Sequence, residues 1–492
     1  MISYITSKIP GKSVAKNSII NLSTKIALLF ITLGYIAYTS RHLSQTDLGI
    51  FAAMFVFYSL LGLVGGLGLN TMALRLIPEL QAKKEQGKIS DIVKITVAIS
   101  ALATFIIALI GILFDYQISM IFLKSPVYSN YIDWIIINSF FYAIFDRMIL
   151  IYQSFQSFTT MSVLNVITNI SQRIIAAILM ILGYGLQGIM VGFLIGTLLG
   201  LIWSIIDLRS YLFGKYNKYP AMDFIKVSFP YYGQGIMRFI FTQADQALIA
   251  FMFSPDKLAI YFIAKKIINL ITLVFEALYD TVVPKLAEIK SRGIEVFRAN
   301  LDKVSSILIF LVVIGISLVF LNSKLFMYLL GGEKFIEYYY LLNILALSIV
   351  SYMLYTVSIT GVYLYNEPND VFKLSFYVGI TTVSLEIIFG MTFGLIGFSI
   401  AQTLGYLVGI TVIRLKYKET SIEYAWNKDL LHVALISCGL ILGYYINTYW
   451  FSIGFSILSC IKITLINFVM IILAIGFYLI KNKAFLLNIK KT

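Results

Sequence analysis

Fourteen runs of about twenty apolar residues recur along this chain, at 17–38, 47–71, 92–114, 134–154, 161–182, 186–208, 225–250, 258–281, 303–321, 339–362, 371–391, 394–414, 431–449 and 455–480. At about 1.5 Å per residue, each is long enough to cross roughly 30 Å of hydrocarbon as a helix. Charged residues make up only 13% of the chain, against about 25% in an ordinary soluble domain, so most of it must meet lipid or other membrane helices. The expected fold class is an all-α integral membrane protein with about 14 transmembrane helices. The longest hydrophilic stretches are loops of roughly 20 residues, which leaves no room for a soluble domain.

The net charge of +14 first suggests nucleic acid, but the bases sit in short loops between apolar spans and read as topology. With the N-terminus inside, the outer loops hold only Arg41, Lys124, Lys257, Lys324 and Lys334, and inner segments outweigh them about five to one. A multi-pass protein of the cell (plasma) membrane with both termini cytoplasmic is expected, and no nucleic-acid partner. Lys8, Lys12 and Lys16 ahead of an apolar run resemble a signal peptide. The run from Asn17 to Tyr38 is too long for one and lacks a small-residue cleavage site, so it is expected to stay as the first helix. Cys438, Cys460, His42 and His432 are isolated, with neither disulfide nor metal-ligand spacing.

The chain repeats itself after about 210 residues. Ser44, Leu48, Ile50 and Phe51 return as Ser254, Leu258, Ile260 and Tyr261, and LIPELQAKKEQG returns as VVPKLAEIKSRG with Pro78 at Pro284. The stripe Gly188, Gly192, Gly196, Gly200 is answered by Gly397, Ala401, Gly405, Gly409. Small residues every fourth position let helix backbones approach closely in lipid, so these stripes read first as packing surfaces. Six helices per repeat is an even number, which gives both copies the same orientation. The expected division is a six-helix lobe at 1–214, a second at 215–420, and two further helices with a tail at 421–492.

Charge inside the spans carries the functional reading. Between Ser254 and Gly293, Lys265, Lys266, Asn269, Glu276 and Asp280 fall within roughly 100° of helix surface, one polar stripe on a greasy helix. Asn17, Asn21, Lys25 and Thr32 share a face of the first span; Asn165, Asn169, Gln172 and Arg173 share one of the fifth. Tyr231, Gln234, Arg238, Thr242 and Asp245 share one of the seventh. Arg147, Asp146 and Glu386 are also within spans. At about 3 kcal/mol each on insertion scales, such groups face protein or a wet cavity rather than lipid. Two uses stay open: ion pairs that lock helices, such as Asp245 with Lys265 or Lys266 and Asp146 with a nearby base, or a cavity lining. Bases at mid-membrane without evident partners suit an anionic cargo, so Lys25, Arg173, Arg238, Lys265 and Lys266 are the candidate pyrophosphate ligands. Asp245, Glu276, Asp280, Asn21 and Gln234 are candidates for ion coupling or for the cavity wall, although Glu276 and Asp280 read first as partners of Lys285 and its basic loop. No phosphate loop of the GxxxxGK[ST] type occurs, and the longest outer loops, 115–133 and 322–338, offer no acid–base set. No catalytic residue, metal or cofactor is expected.

The stretches LSQTDLGIF (43–51), RLIPELQAKKEQGK (75–88), YGLQGIMVGFLIG (184–196) and SPDKLAIYFIAKKI (254–267) resemble the polysaccharide-transporter, or Wzx-like, flippases of the multidrug/oligosaccharidyl-lipid/polysaccharide exporter superfamily. The resemblance runs over nearly the whole length. It implies two six-helix lobes, often with two extra helices, around a cationic cavity. It also implies movement of a polyprenyl-pyrophosphate-linked oligosaccharide from the inner to the outer leaflet, for cell-surface polysaccharide or glycoprotein assembly, alongside other membrane proteins of that assembly. Lys25 and Lys266 match positions where the family keeps a base, Tyr261 and Ala264 fit the same pattern, and Asp245 matches an acid late in the seventh helix. The alternative is an ion-coupled exporter of small amphiphiles, which leaves coupling to H+ or Na+ open. Drug exporters of the superfamily usually have twelve helices and often an acid in the first, where this chain has fourteen spans and Lys25.

Overall fold

A computed structural model describes residues 10–214 and 219–418, and every regular element among them is helical. The spans expected at 431–449 and 455–480, and the unit expected at 421–492, lie outside the described residues. Among the described residues, eight helical segments are long and apolar enough to cross a membrane. Contacts divide the chain into two compact units that meet in sequence between Phe262 and Ile263.

The first unit holds α1 (Pro10–His42), α2 (Gln45–Gly66), α3 (Leu69–Ala82), α4 (Gln86–Leu113), the single turn α5 (Asp115–Ile118) and α6 (Ser129–Ser154). These are followed by α7 (Phe158–Leu179), α8 (Gly185–Asp207), the short α9 (Arg209–Leu212) and α10 (Ala221–Met252). The next helix, α11 (Pro255–Ile289), begins in this unit and runs into the second. The second continues with α12 (Ile294–Gly331), α13 (Tyr339–Tyr365), α14 (Pro368–Phe393) and α15 (Leu395–Lys416).

Local sequence explains several boundaries. Ser44 caps α2, its hydroxyl accepting from the Asp47 amide at 3.0 Å, so one otherwise orphan donor at the helix start is satisfied. The expected run 47–71 is not one helix. It breaks at Leu67 (φ 43°) and Gly68 (φ 74°), both left-handed, and α3 leaves in a new direction. A Cβ at Gly68 would overlap the Ser228 carbonyl and lie 2.7 Å from the Tyr232 amide, so α10 approaches this break backbone to backbone. The closely spaced spans around 183–188 and 391–397 are joined by tight turns at Gly183 (φ 91°), Gly185 (φ 51°) and Gly394 (φ 60°).

Those turns fold α7 onto α8 and α14 onto α15. In the first pair Gly192 meets the backbone of Ala176 and Gly196 that of Gln172, too close for any side chain. In the second, Gly405 meets Thr382 and Gly409 meets Val378, with Tyr355 of α13 against the same glycine.

The contact boundary falls about fifty residues beyond the expected lobe boundary at 214/215, because α10 packs on α2 and α3. Two seams hold it. At the α3 end, the Gly68 contact is joined by Arg75, whose Nη1 donates to Tyr231 Oη at 3.0 Å. Beyond its other end, Thr46 Oγ1 donates to Asp256 Oδ1 at 2.6 Å, Gln45 Nε2 to the Asp256 carbonyl at 3.2 Å, and Gly49 lies against the Pro255 backbone. Loops expected on one side of the membrane therefore gather at one rim of this unit, where Lys124 also donates to the Phe251 carbonyl. Loops expected on the other side gather at the opposite rim, where Ser90 donates to the Tyr211 carbonyl at 2.7 Å and Lys94 to the Gly214 carbonyl.

Candidate functional site

The polar faces expected on the first and fifth spans meet. Arg173, on α7, is 8% exposed. Its Nη1 donates to both the carbonyl (2.9 Å) and Oδ1 (2.7 Å) of Asn169, one turn earlier on the same helix. Its Nη2 donates to Thr32 Oγ1 on α1 at 2.8 Å. Each face follows from residues spaced three and four apart, which an α-helix brings to one side. The guanidinium lies 6.0 Å from the ring centroids of both Tyr35 and Phe193, so π faces supply part of the stabilisation that water would have given. No carboxylate among the described residues pairs with it, and its Nε is buried with no acceptor. The Tyr35 hydroxyl is likewise buried without a partner. The cation thus keeps hydrogen-bonding capacity in reserve inside an aromatic surround that includes Phe51 and Phe55. Gln172, its neighbour, turns instead to α8 and donates to Thr197 at 2.8 Å.

Arg147, the other deeply buried base of the unit, is 3% exposed and differently placed. It donates to the Gly62 carbonyl near the end of α2, and its Nη1 lies 3.7 Å from Asp146 Oδ2. There the ion-pair reading of Asp146 applies. A positive charge at a helix C-terminus complements the negative end of the macrodipole, and Arg147 supports the point where α2 breaks.

Along α10 the expected polar face divides by depth. Gln234, Arg238 and Thr242 are exposed, whereas Asp245 is 1% exposed. Asp245 accepts the Tyr261 hydroxyl at 2.7 Å and the Gln246 amide at 2.8 Å, tying the end of α10 to the start of α11. Tyr261, aligned in sequence with Phe51, is fully buried, and its hydroxyl is what reaches this acid. On the rest of α11, within the second unit, Lys265 and Lys266 are half-buried. Glu276 accepts from the Tyr352 hydroxyl on α13 at 2.9 Å, and Tyr279 donates to the Thr356 carbonyl at 3.0 Å. Glu276 therefore has a neutral tyrosine partner. The side chains of Lys25, Asn21 and Asp280 lie outside the described residues, although their backbones are helical within α1 and α11.

Sequence reasoning missed three features. The aromatic surround of Arg173 follows no polar periodicity and reads in sequence as ordinary core. The contact of Arg147 with α2 joins helices far apart in the chain. The break in α2 did carry a signal, since Gly65, Gly66 and Gly68 cluster at the end of an apolar run, where helix propensity is lowest.

Comparison with known proteins adds the following. The family model described as "Polysaccharide biosynthesis protein" matches residues 14–290. No curated protein matches the chain in sequence. Among solved structures, the lipid II flippase MurJ in an inward closed conformation is similar with a TM-score of 0.72 and 18% identity, over 96% of this chain and 100% of that one. An inward-facing multidrug resistance MATE family transporter of the MOP superfamily is similar with a TM-score of 0.68 and 14% identity, over 82% and 98%. A MOP superfamily transporter from Pyrococcus furiosus gives 0.56 and 14%, over 84% and 97%. At such identities the likeness is one of fold.

Proposed function

The chain belongs to the polysaccharide biosynthesis protein family, and from that premise we propose that it is a flippase carrying a polyprenyl-(pyro)phosphate-linked oligosaccharide from the cytoplasmic to the outer leaflet by alternating access. The observation that carries this reading is Arg173: a buried guanidinium held by neutral groups, with donors to spare and no carboxylate beside it among the described residues. A charge worth about 3 kcal/mol against insertion is an expensive structural element when no acid neutralises it, and it suits a site visited by an anion. The fold it shares with the lipid II flippase MurJ supports a lipid-linked cargo.

In this reading the pyrophosphate is drawn by Arg173, Arg238 and Lys25, with Lys265 and Lys266 contributing from α11, while the polyprenyl tail stays in the bilayer. Asn21, Gln234 and Asp280 line the path. Asp245 and Glu276 hold helices through Tyr261 and Tyr352. The chain comprises two parallel six-helix repeats and two C-terminal helices, 14 in all, with both ends on the cytoplasmic side of the plasma membrane. It catalyses no covalent step. It works beside other membrane proteins of polysaccharide assembly.

The test is translocation of a fluorescent polyprenyl-pyrophosphate oligosaccharide in proteoliposomes. Arg173→Gln and Arg238→Gln are expected to slow it at least about tenfold, equivalent to about 1.4 kcal/mol, and Lys25→Ala and Lys266→Ala to slow it less. Wild-type rates in all four variants would overturn the assignment. The second reading, an ion-coupled exporter of small amphiphiles, is favoured by the fold shared with a MATE family transporter. It predicts cation-driven dye efflux that Asp245→Asn abolishes.

A further inference from the structure

A groove of about 590 Å³ runs along the exposed side of α8 and its turn into α9, lined by Leu199, Ile202, Trp203, Ile206, Asp207 and Arg209. The first four stand at spacings of three and four and share one helix face. All are open, from 44% exposed at Trp203 to 59% at Ile206. The span from Leu199 to Arg209 covers roughly 15 Å of helix, half of a 30 Å hydrocarbon layer, so the groove is about one leaflet deep. Its polar end lies at the rim where Ser90 binds α9 and Lys94 binds the segment after it, the rim that the distribution of bases places in the cytoplasm.

The two charged groups at that end are held differently. Asp207 is fixed by the Tyr152 hydroxyl, which donates to Oδ2 at 2.8 Å and leaves Oδ1 open. Arg209 is exposed, and its guanidinium has no hydrogen bond or ion pair to another described residue. An occupant must therefore offer an apolar chain one leaflet long, an anionic group for the guanidinium and, beside it, a cation able to donate hydrogen bonds to the carboxylate. A purely acidic headgroup meets repulsion from Asp207. A quaternary ammonium has no N–H to donate.

We propose that this groove is a binding site for an aminophospholipid of the cytoplasmic leaflet, of the phosphatidylethanolamine class. Its phosphate sits on Arg209, its ammonium on Asp207, and an acyl chain lies along Leu199, Ile202 and Ile206. The site does not depend on the identity of the cargo.

Native mass spectrometry of the full chain decides the matter. Detergent-purified protein is equilibrated with equal amounts of phosphatidylethanolamine, phosphatidylglycerol and phosphatidylcholine, and thermal melting confirms that each variant is folded. Preferential retention of phosphatidylethanolamine is expected. Asp207→Asn should cut its preference over phosphatidylglycerol about tenfold, and Arg209→Gln should weaken both phospholipids together. Tyr152→Phe removes only the hydrogen bond that fixes Asp207, and should leave the preference in place. Equal retention of phosphatidylcholine, retention unmoved by both charge variants, occupancy by a second copy of the chain, or a Tyr152→Phe effect as large as that of Asp207→Asn would each overturn the proposal.

Discussion

The α7–α8 and α14–α15 hairpins are built on matching small-residue stripes, yet they bury opposite charges. The antiparallel register is the same in both, with Gly196 against Gln172 in one and Gly405 against Thr382 in the other. The first hairpin carries Arg173 at its centre; the second carries Glu386, 2% exposed, about one turn from the matching position. The close-packed seam leaves little latitude, whereas the charge beside it differs between copies. Packing and chemistry are separate layers of one motif. The seams differ at one matched pair: Gly196 meets the backbone of Gln172, whereas Gly405 meets the Thr382 side chain; Gly200 and Gly409 both meet side chains.

Four measurements would break or sharpen this contrast. The largest effect is expected at Gly196→Ala, whose Cβ would lie 2.6 Å from Gln172 Cα and has nothing flexible to displace. A loss of about 3 kcal/mol, the upper end of overpacking costs, should appear as poor recovery and a lower detergent melting temperature. Next is the charge. Arg173→Lys should retain several-fold more translocation than Arg173→Gln, because it keeps the cation but loses the fork that reaches Asn169 and Thr32 together. Glu386→Gln should leave cargo KM unchanged; a shift equal to that of Arg173→Gln would erase the functional difference between the hairpins.

A smaller effect is expected at Gly409→Ala, where the added methyl meets Tyr355 at 2.7 Å and Val378 at 2.9 Å. About 1 kcal/mol should be lost, and Val378→Ala in the same chain should restore part of it. No such second-site relief is expected at Gly196. The smallest effect concerns the surface pairs on the two copies of the amphipathic loop, Lys83–Glu79 at 2.7 Å and Arg292–Glu288 at 3.7 Å. The Lys83 ammonium holds the Glu79 carboxyl below its ordinary value. That contribution is present at neutral pH and is lost as pH falls through the lowered value of the folded state. Lys83→Ala should therefore shift melting marginally at neutral pH and not at all in acid, and 1 M salt should remove the difference.

Much of this was legible in the sequence because its causes are local and periodic. Arg173, Asn169 and Thr32 were placed on two polar faces by helical spacing alone, and the structure brings those faces together. The turns at Gly183, Gly185 and Gly394 lay where two apolar runs nearly touch. The break at Leu67–Gly68 was not foreseen: hydropathy averages across a kink, and only the closeness of α10 requires it. The partners of Asp245 and Glu276 also escaped, since the tyrosines that bind them lie 16 and 76 residues away.

By itself the sequence determined that this is a helical membrane protein with bases at depths where lipid would reject them. Hydropathy, repeat spacing and loop charge are sums over neighbouring residues and survive without coordinates. Which buried base meets a helix end and which is held by neutral side chains was decided only by tertiary structure. A guanidinium at 3% exposure beside Asp146 and one at 8% beside Thr32 are the same residue type in the same kind of helix. What separates them is which helix lies opposite, and the long-range packing of α1, α2 and α8 settles that.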